Sequence, residues 1–383
     1  MPTRTCSLHH AMIFDRGGMT PLGEVKRLSK VEWNRDRDGV SEADITIDGF
    51  RNCGIQRRVT NKASEKRHEL VIFRDKERVW EGPIYRISDL GSRIEINARD
   101  VGSYLFETPV TKDYDNRKNV IAMTTRIANI IAYELSNSRV GRKVGGGTIT
   151  VPGWETLSPP ANILPFLDVR HFPNEAKSAA YTRAFSTTVG LLLANAARQG
   201  GIDYTTVGRR IVLWDTSRWI GETRTLTEAD FYGNVVVTGY GADHTQGAIS
   251  AGMEGTYGEA INPDGLDFYG PWTKIYPAYN EEGSDAPTVG ALNSQAARNV
   301  SGRSPVPVEV RVPDNSSIRL SEGLQLKHLV PGTRVPLLAR LNTRPRNQMQ
   351  KLDHLTVTET SEGEDVKVTL SPATRADSDE VTP

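Results

Sequence analysis

Cysteine is almost absent from this chain. Its 383 residues include two, Cys6 and Cys53. That number builds neither a disulfide framework nor a four-cysteine metal site; free thiols are expected, with a single Cys6–Cys53 bridge as the open alternative. Long apolar runs are also missing. None approaches the ~18 residues that a membrane-spanning helix requires, and the polar N-terminal stretch holds no apolar segment of a secretory signal. Neither sign of charge prevails, with 47 Lys and Arg against 47 Asp and Glu. A dedicated nucleic-acid binder carries a basic excess, so that main role is disfavoured.

The common chemical motifs are lacking as well. The seven histidines form no His-Glu-x-x-His and no His-x-His, spacings that set two imidazoles on one metal. His9 and His10 are adjacent, so on a strand they point to opposite faces. His68 opens a strand pattern and reads as structural. No Gly-x-Ser-x-Gly elbow occurs, and neither cysteine has the local signature of a nucleophile. In Gly239-Tyr-Gly241, His244 stands where a dinucleotide loop needs its third glycine, so a turn is expected. The Gly145–Gly147 run lacks the Lys-Ser/Thr of a phosphate loop and reads as a flexible connection. No catalytic, cofactor-binding or metal-ligating residue emerges, and no enzymatic activity is expected. A triad or carboxylate pair assembled from distant residues leaves no trace in spacing.

What the chain does have is glycine and proline, 34 and 21 of them, which favours turns and short β elements. At roughly 100–200 residues per domain, its length predicts two to four domains. The clearest pattern runs from His68 to Asp100, as three short strands. Asp75-Lys-Glu-Arg78 and Asp89-Leu-Gly-Ser92 supply the turns between them. Ile94, Ile96 and Ala98 alternate with polar residues, as on a half-buried antiparallel strand. Gly82-Pro83 falls inside the second strand. Proline has no N–H for a central ladder, so this strand is expected at an edge or bent by a bulge.

Residues 1–112 read as β throughout, with further strands over Lys26–Trp33 and Ala43–Asp48. Val120, Met123, Ile127, Ile130, Ile131 and Leu135 then recur at helical spacing, with Asn119 as cap. After the loop-rich 137–180, a second helix carries Phe185, Val189, Leu192, Leu193, Ala196 and Ala197, and Gly200-Gly201 stops it. Ile202–Thr206 and Arg210–Trp214 read as a hairpin, and Asn234–Thr238 as a short strand. Segment 241–286 shows no clear period. A third helix is expected over 287–301 from Val289, Leu292, Ala296, Ala297 and Val300. Farther on, Pro307–Val312 alternates and Pro331-Gly332 turns the chain. Leu355–Thr358 and Val366–Leu370 form a hairpin around Ser361-Glu-Gly363, and residues 373–383 are expected to be disordered. The order β, α/β, β implies an α+β, mainly β fold. No short period repeats, which argues against solenoids and propellers.

Charge and aromatics are unevenly spread. Arg57-Arg58, Lys62, Lys66 and Arg67 against Glu65 make a basic stretch. It reads as a solvated loop or a surface facing DNA or an acidic partner. From 241 to 304, eight acids stand against three bases. Trp80 and Trp214 lie in strand patterns and are expected in the core, whereas Phe268, Tyr269, Trp272, Tyr276 and Tyr279 cluster in sequence.

Glu69-Leu-Val-Ile-Phe-Arg-Asp75, Val79-Trp-Glu-Gly-Pro-Ile84 and Ile94-Glu-Ile-Asn-Ala-Arg-Asp100, leading to Tyr104-Leu105, carry a resemblance. So do Leu329-Val-Pro-Gly-Thr-Arg-Val335 and the closing hairpin. Together they resemble the tail hub proteins of long-tailed bacteriophages, minor tail proteins of actinobacterial siphophages among them. The resemblance follows most of the chain in its order of elements. It implies two β-barrel-like domains with an inserted α/β lobe. The first barrel would be 1–112, the lobe 113–205 plus 241–304, and the second barrel 206–240 plus 305–372.

The same resemblance implies a homotrimer, a ring that adapts the six-fold tail tube or distal tail ring to the tip and surrounds or closes the DNA channel. The implied partners are other copies of the chain, the distal tail ring protein, the tape measure protein, other minor tail or fibre proteins, and exiting DNA in transient contact. The implied location is the virion tail tip, after synthesis in the host cytoplasm. Segment 241–304 is expected to face the channel, where acidic walls let DNA slide, or an adjoining protein. Some relatives continue into carbohydrate-binding or peptidoglycan-cleaving modules. This chain ends soon after its second β region, so a hydrolase is not expected, and no cofactor is implied. Two alternatives stay open: a carbohydrate-binding receptor-recognition protein acting through the aromatic cluster, and, less favoured, a cell-wall hydrolase.

Overall fold

A computed structural model describes residues 8–48, 59–135, 143–144, 147–148, 167–172, 177–178, 180–198, 201–216, 218, 220–233, 236–238, 245–252, 255–277, 287–300, 309–311, 316–341 and 344–372. Cys6, Cys53, Arg57-Arg58, the Gly239–Gly241 turn, Tyr279 and the tail 373–383 lie outside the described residues.

The chain opens with four strands, His9–Asp15 (β1), Pro21–Val25 (β2), Leu28–Asp36 (β3) and Glu42–Asp48 (β4). The meander follows as His68–Arg74 (β5), Glu77–Asp89 (β6) and Arg93–Arg99 (β7). Asp75 and Lys76 both take positive φ, 50° and 76°, in a two-residue turn whose twist matches the strands it joins. The second strand of the meander is not at an edge. Its first half pairs with β5 and its second half with β7. The change of partner falls at Gly82-Pro83, where no N–H is needed, and a bulge follows between Ile84 and Arg86. Gly82 is required there, because a Cβ would stand 1.9 Å from the Arg99 carbonyl oxygen.

A short helix, Ser103–Phe106 (α1), leads to Met123–Glu134 (α2). The latter starts later than its apolar spacing predicts. Ala122 is its N-cap, with no side-chain cap from Asn119, and Val120 is exposed. Strand Asp168–His171 (β8) precedes Val189–Arg198 (α3). Phe185 lies before this helix, exposed and at φ 59°, rather than on its apolar face. The hairpin Ile202–Val207 (β9) and Arg210–Asp215 (β10) pairs with β8 in the order β8-β10-β9. Leu226–Thr227 (β11) follows.

The segment without a clear period is structured. It holds Gly247–Ala251 (β12), Tyr257–Ile261 (β13), Pro263–Tyr269 (α4) and Thr273–Pro277 (β14). These strands are five residues long and interrupted by Gly247 and Gly258, too short and too glycine-rich to print an alternation. Val289–Val300 (α5) packs on them through Leu292, Ala296 and Val300. The chain closes with Arg334–Leu341 (β15), Arg344–Thr360 (β16) and Gly363–Pro372 (β17).

The architecture is α+β and mainly β, as the sequence implies. Among the described residues no sheet closes into a barrel. The two β regions instead build one 11-stranded sheet, in the order β11-β15-β16-β3-β4-β7-β6-β5-β1-β2, with β17 also paired to β16. They share one core as well. Trp33, Ile45 and Ile72 of the first region belong to the same cluster as Leu337, Leu355 and Val368 of the second. The physical cause is the length of β16. Its 17 residues pair with β15 over Arg344–Lys351 and with β3 over His354–Thr360. A second core joins α2 and α3 to β9 and β10 through Ile127, Ile131, Leu192, Leu193, Ile211 and Leu213. That hairpin straddles residue 205, at which the resemblance divides lobe from barrel.

Candidate functional site

Three clusters of buried charge join the bodies of this molecule. The first is made by Arg209 in the β9–β10 turn. Its Nη1 donates to Glu69 Oε2 at 2.6 Å and to Glu81 Oε2 at 3.3 Å. Glu69 also accepts from Tyr104 Oη at 2.7 Å and from the Gly17 amide at 3.0 Å. Burial raises the Glu81 carboxyl, opposed by Arg209 and Arg78, and burial would lower the Arg209 guanidinium did Glu69 not outweigh it. The hairpin of the helical lobe is thereby plugged into the first β region.

The second cluster sits at Arg37, at the end of β3. Its Nε donates to Asp353 at 2.6 Å and its Nη1 to Asp203 at 3.0 Å. Lys351 Nζ lies 3.3 Å from the other Asp203 oxygen and donates to the Thr216 carbonyl at 2.8 Å. Asp38, at φ 59°, accepts from the Tyr204 amide and donates its own amide to the Tyr204 carbonyl, both at 2.8 Å. Burial raises the Asp38 carboxyl, and Asp203 beside it adds to the rise. One node therefore ties β3, β9 and β16, which belong to the first β region, the lobe and the second β region.

The third cluster lies between β1 and the β16–β17 hairpin. His9 Nδ1 contacts Glu359, and its Nε2 accepts from the Trp33 indole N–H at 3.2 Å. The proton of this imidazole is thereby assigned to Nδ1. Arg74 holds Glu364 through two bonds, at 2.6 and 2.8 Å. Chemically these clusters are joints. Each carboxylate is spent on a cation or an amide of another element. Among the described residues no group of three or more His, Cys, Asp or Glu is placed to hold a metal ion.

The singled-out sequence features separate. From the basic stretch, Lys66 pairs with Glu107 and Arg67 with Asp15, and His68 accepts from the Ser64 amide. Trp80 and Trp214 are buried in the core. The aromatic cluster divides: Phe268 is 80% and Trp272 61% exposed, whereas Tyr269 is half-buried and Tyr276 packs against the core under α5. It borders the β13-β12-β14 sheet, which among the described residues α5 covers on one face. The other face carries Ile249, Ile275 and Glu259 in one row across three strands. Ile275 is 70% exposed. The β8-β10-β9 sheet is covered by α2 and α3 on one face, and its other face is largely buried, with Asp203 and Thr205 against β3 and Trp214 against Gly332. Beside it lies a groove of about 650 Å³ lined by the exposed Phe172, Arg170, Arg210 and Arg218, with Val212 and Trp214 as its buried floor. The groove leaves no mark in the sequence, because residues 170, 212 and 218 come together only when β8 pairs parallel to β10.

No protein-family model matches the chain, and no curated protein does. Solved structures do match, along the whole chain. The 43 kDa tail protein of prophage MuSo2 from Shewanella oneidensis aligns at TM-score 0.58 and 13% identity, covering 96% of this chain and 98% of its own. The tail protein from Neisseria meningitidis aligns at TM-score 0.55 and 12% identity, with 97% and 98% covered. Prophage tail protein gp18 from Listeria monocytogenes aligns at TM-score 0.55 and 9% identity, with 94% covered in each. The chain has the fold of these tail proteins.

Proposed function

We propose that this chain is a structural hub of a phage tail tip. In this reading three copies form a ring that adapts the tail tube or distal tail ring to the tip and surrounds the DNA channel. The supporting observation is the extent of the likeness: 96% of the chain follows 98% of a prophage tail protein. The joints support it physically. A hub transmits force between its bodies, and each body here is pinned to the next by buried ion pairs rather than by a mobile linker. The half-covered β12–β14 sheet supplies what an assembling subunit offers its neighbours, exposed apolar surface of defined shape. The distal tail ring protein, the tape measure protein and other minor tail or fibre proteins are the partners of that position, and exiting DNA its transient contact. The 11-stranded sheet is the docking body in this reading, and the copy-to-copy surfaces lie on the β12–β14 sheet and at the groove beside β10.

Deleting the gene from the phage that carries it tests the reading. The expected result is tails that lack a tip and do not infect, restored by supplying the chain in trans. Normal tails and full infectivity without it would overturn the proposal. One observation favours a second reading. Phe268 and Trp272 project from the surface as sugar-stacking rings do. Saturable binding of the chain to host cell walls, lost in Trp272→Ala, would move the assignment to receptor recognition.

A further inference from the structure

We infer that the open face of the β12–β14 sheet of one copy docks onto the arginine-lined groove of the β8–β10 sheet of the next. This rests on the ring reading above and names the surfaces that close the ring.

The two surfaces differ in build. The β12–β14 sheet has a helix on one face and exposed residues on the other, whereas the far face of the β8–β10 sheet is packed within the chain against β3 and Gly332 and meets solvent at the groove beside Phe172. On β10, Ile211 and Leu213 point into the helical core. The alternating Arg210, Val212 and Trp214 therefore lie on the groove side, Val212 and Trp214 as its buried floor and Arg210 at its rim. On β12, Ala248 packs against α5, and Ile249 faces the opposite way. Register places Glu259 beside Ile249 on one side and Ile275 on the other. The result is an exposed carboxylate set in an apolar row.

That row specifies its partner. An apolar surface alone would accept any apolar surface. A carboxylate within it demands a cation among apolar atoms, or burial leaves the charge uncompensated. The groove offers this combination: the exposed Phe172 and half-buried Ile220 beside the exposed Arg218. Asp267 on α4 and Glu259 carry the opposite sign, and both are exposed.

Nor are the two surfaces occupied by each other within one chain. Ile275 is 70% and Phe172 50% exposed. The contact is therefore between copies, and it joins two different patches. Such a head-to-tail contact does not end at a dimer; it propagates and closes as a ring when the rotation allows.

Full-length chains carrying Glu259→Arg, Arg218→Glu or both test the inference by sedimentation equilibrium. Both positions are exposed, and matching circular dichroism melts verify that the variants fold. A parallel preparation carries p-benzoylphenylalanine at position 275, and its photo-cross-links are mapped by mass spectrometry. Each single reversal is expected to raise the concentration of half-assembly at least about tenfold, and the pair to return it within about threefold. Cross-links from position 275 are expected on residues 168–221 of another copy. A trimer that forms equally well in both single variants, or cross-links that map elsewhere, overturns the contact and leaves the ring standing. A chain that stays monomeric at every concentration, and occurs singly in tails, overturns the ring itself.

Discussion

Arg209 reaches Glu69 at 2.6 Å across 140 residues of sequence. It is the point where a hairpin of the helical lobe enters the first β region. Arg209→Met leaves Glu69, whose side chain is fully buried, without its cation. Removing one partner of a buried pair costs about 3 kcal/mol or more, whereas replacing both by uncharged groups costs far less. Urea unfolding is expected to show that loss in Arg209→Met and most of it regained in the Glu69→Gln, Arg209→Met double variant. Equal loss in the single and the double would contradict the joint.

Gly82 and Gly91 separate crowding from backbone strain. At Gly82 the obstacle is backbone, the Arg99 carbonyl and the Asp100 Cα, which cannot swing aside. Gly82→Ala is expected to cost about 4 kcal/mol or to prevent folding. Gly91 has φ +80° with nothing within 4 Å of a Cβ, so Gly91→Ala pays only conformational strain, about 1 kcal/mol. Thermal melts of the two variants check the order.

Asp100 gives stability a pH slope. Burial lifts its carboxyl to about 7, against the pull of the Ser41 and Gly102 amides that donate to it. In the unfolded chain it titrates near ~3.9. Between those values the folded chain holds a proton that the unfolded chain has released. The contribution is complete below about pH 4 and lost as pH rises through about 7, so stability falls across that window. Asp38, raised by burial and by Asp203, adds the same sign. Melting temperature against pH is expected to be flatter in Asp100→Asn than in the parent. A parallel curve would contradict the assignment.

Arg37 holds Asp203 of the lobe and Asp353 of the second β region at once. Arg37→Ala leaves both acids near Asp38 with Lys351 as the remaining cation. Native-state hydrogen exchange at Tyr204 and Thr205, which border this node, is expected to quicken at least about tenfold, with the β5–β7 meander unaffected.

Much of the fold is legible in the sequence where the signal is local. Strands 68–74, 77–89 and 93–99, helix 123–134 and the 289–300 helix arise from alternation, helical spacing and turn residues within a few positions of each other. What was not legible depends on distance. Asp36 pairs with His354 in register, 318 residues away, and nothing near either residue marks the match. This pairing joins the two β regions in one sheet. Arg37, Glu69, Asp203 and Arg209 each look like ordinary surface charges until the fold removes their water. Helix ends slipped at Val120 and Phe185, where apolar residues fit the period but the chain had not yet begun to coil.

The central claim is that this chain works by holding neighbours around a tail axis. A reconstruction of the intact tail tip by electron cryomicroscopy, with this chain traced, tests it most directly. The account predicts three copies encircling the channel, each with Ile275 of its β12–β14 sheet against Phe172 of the adjacent copy. A chain absent from the tail, or present as a lone peripheral body touching no second copy, would contradict it.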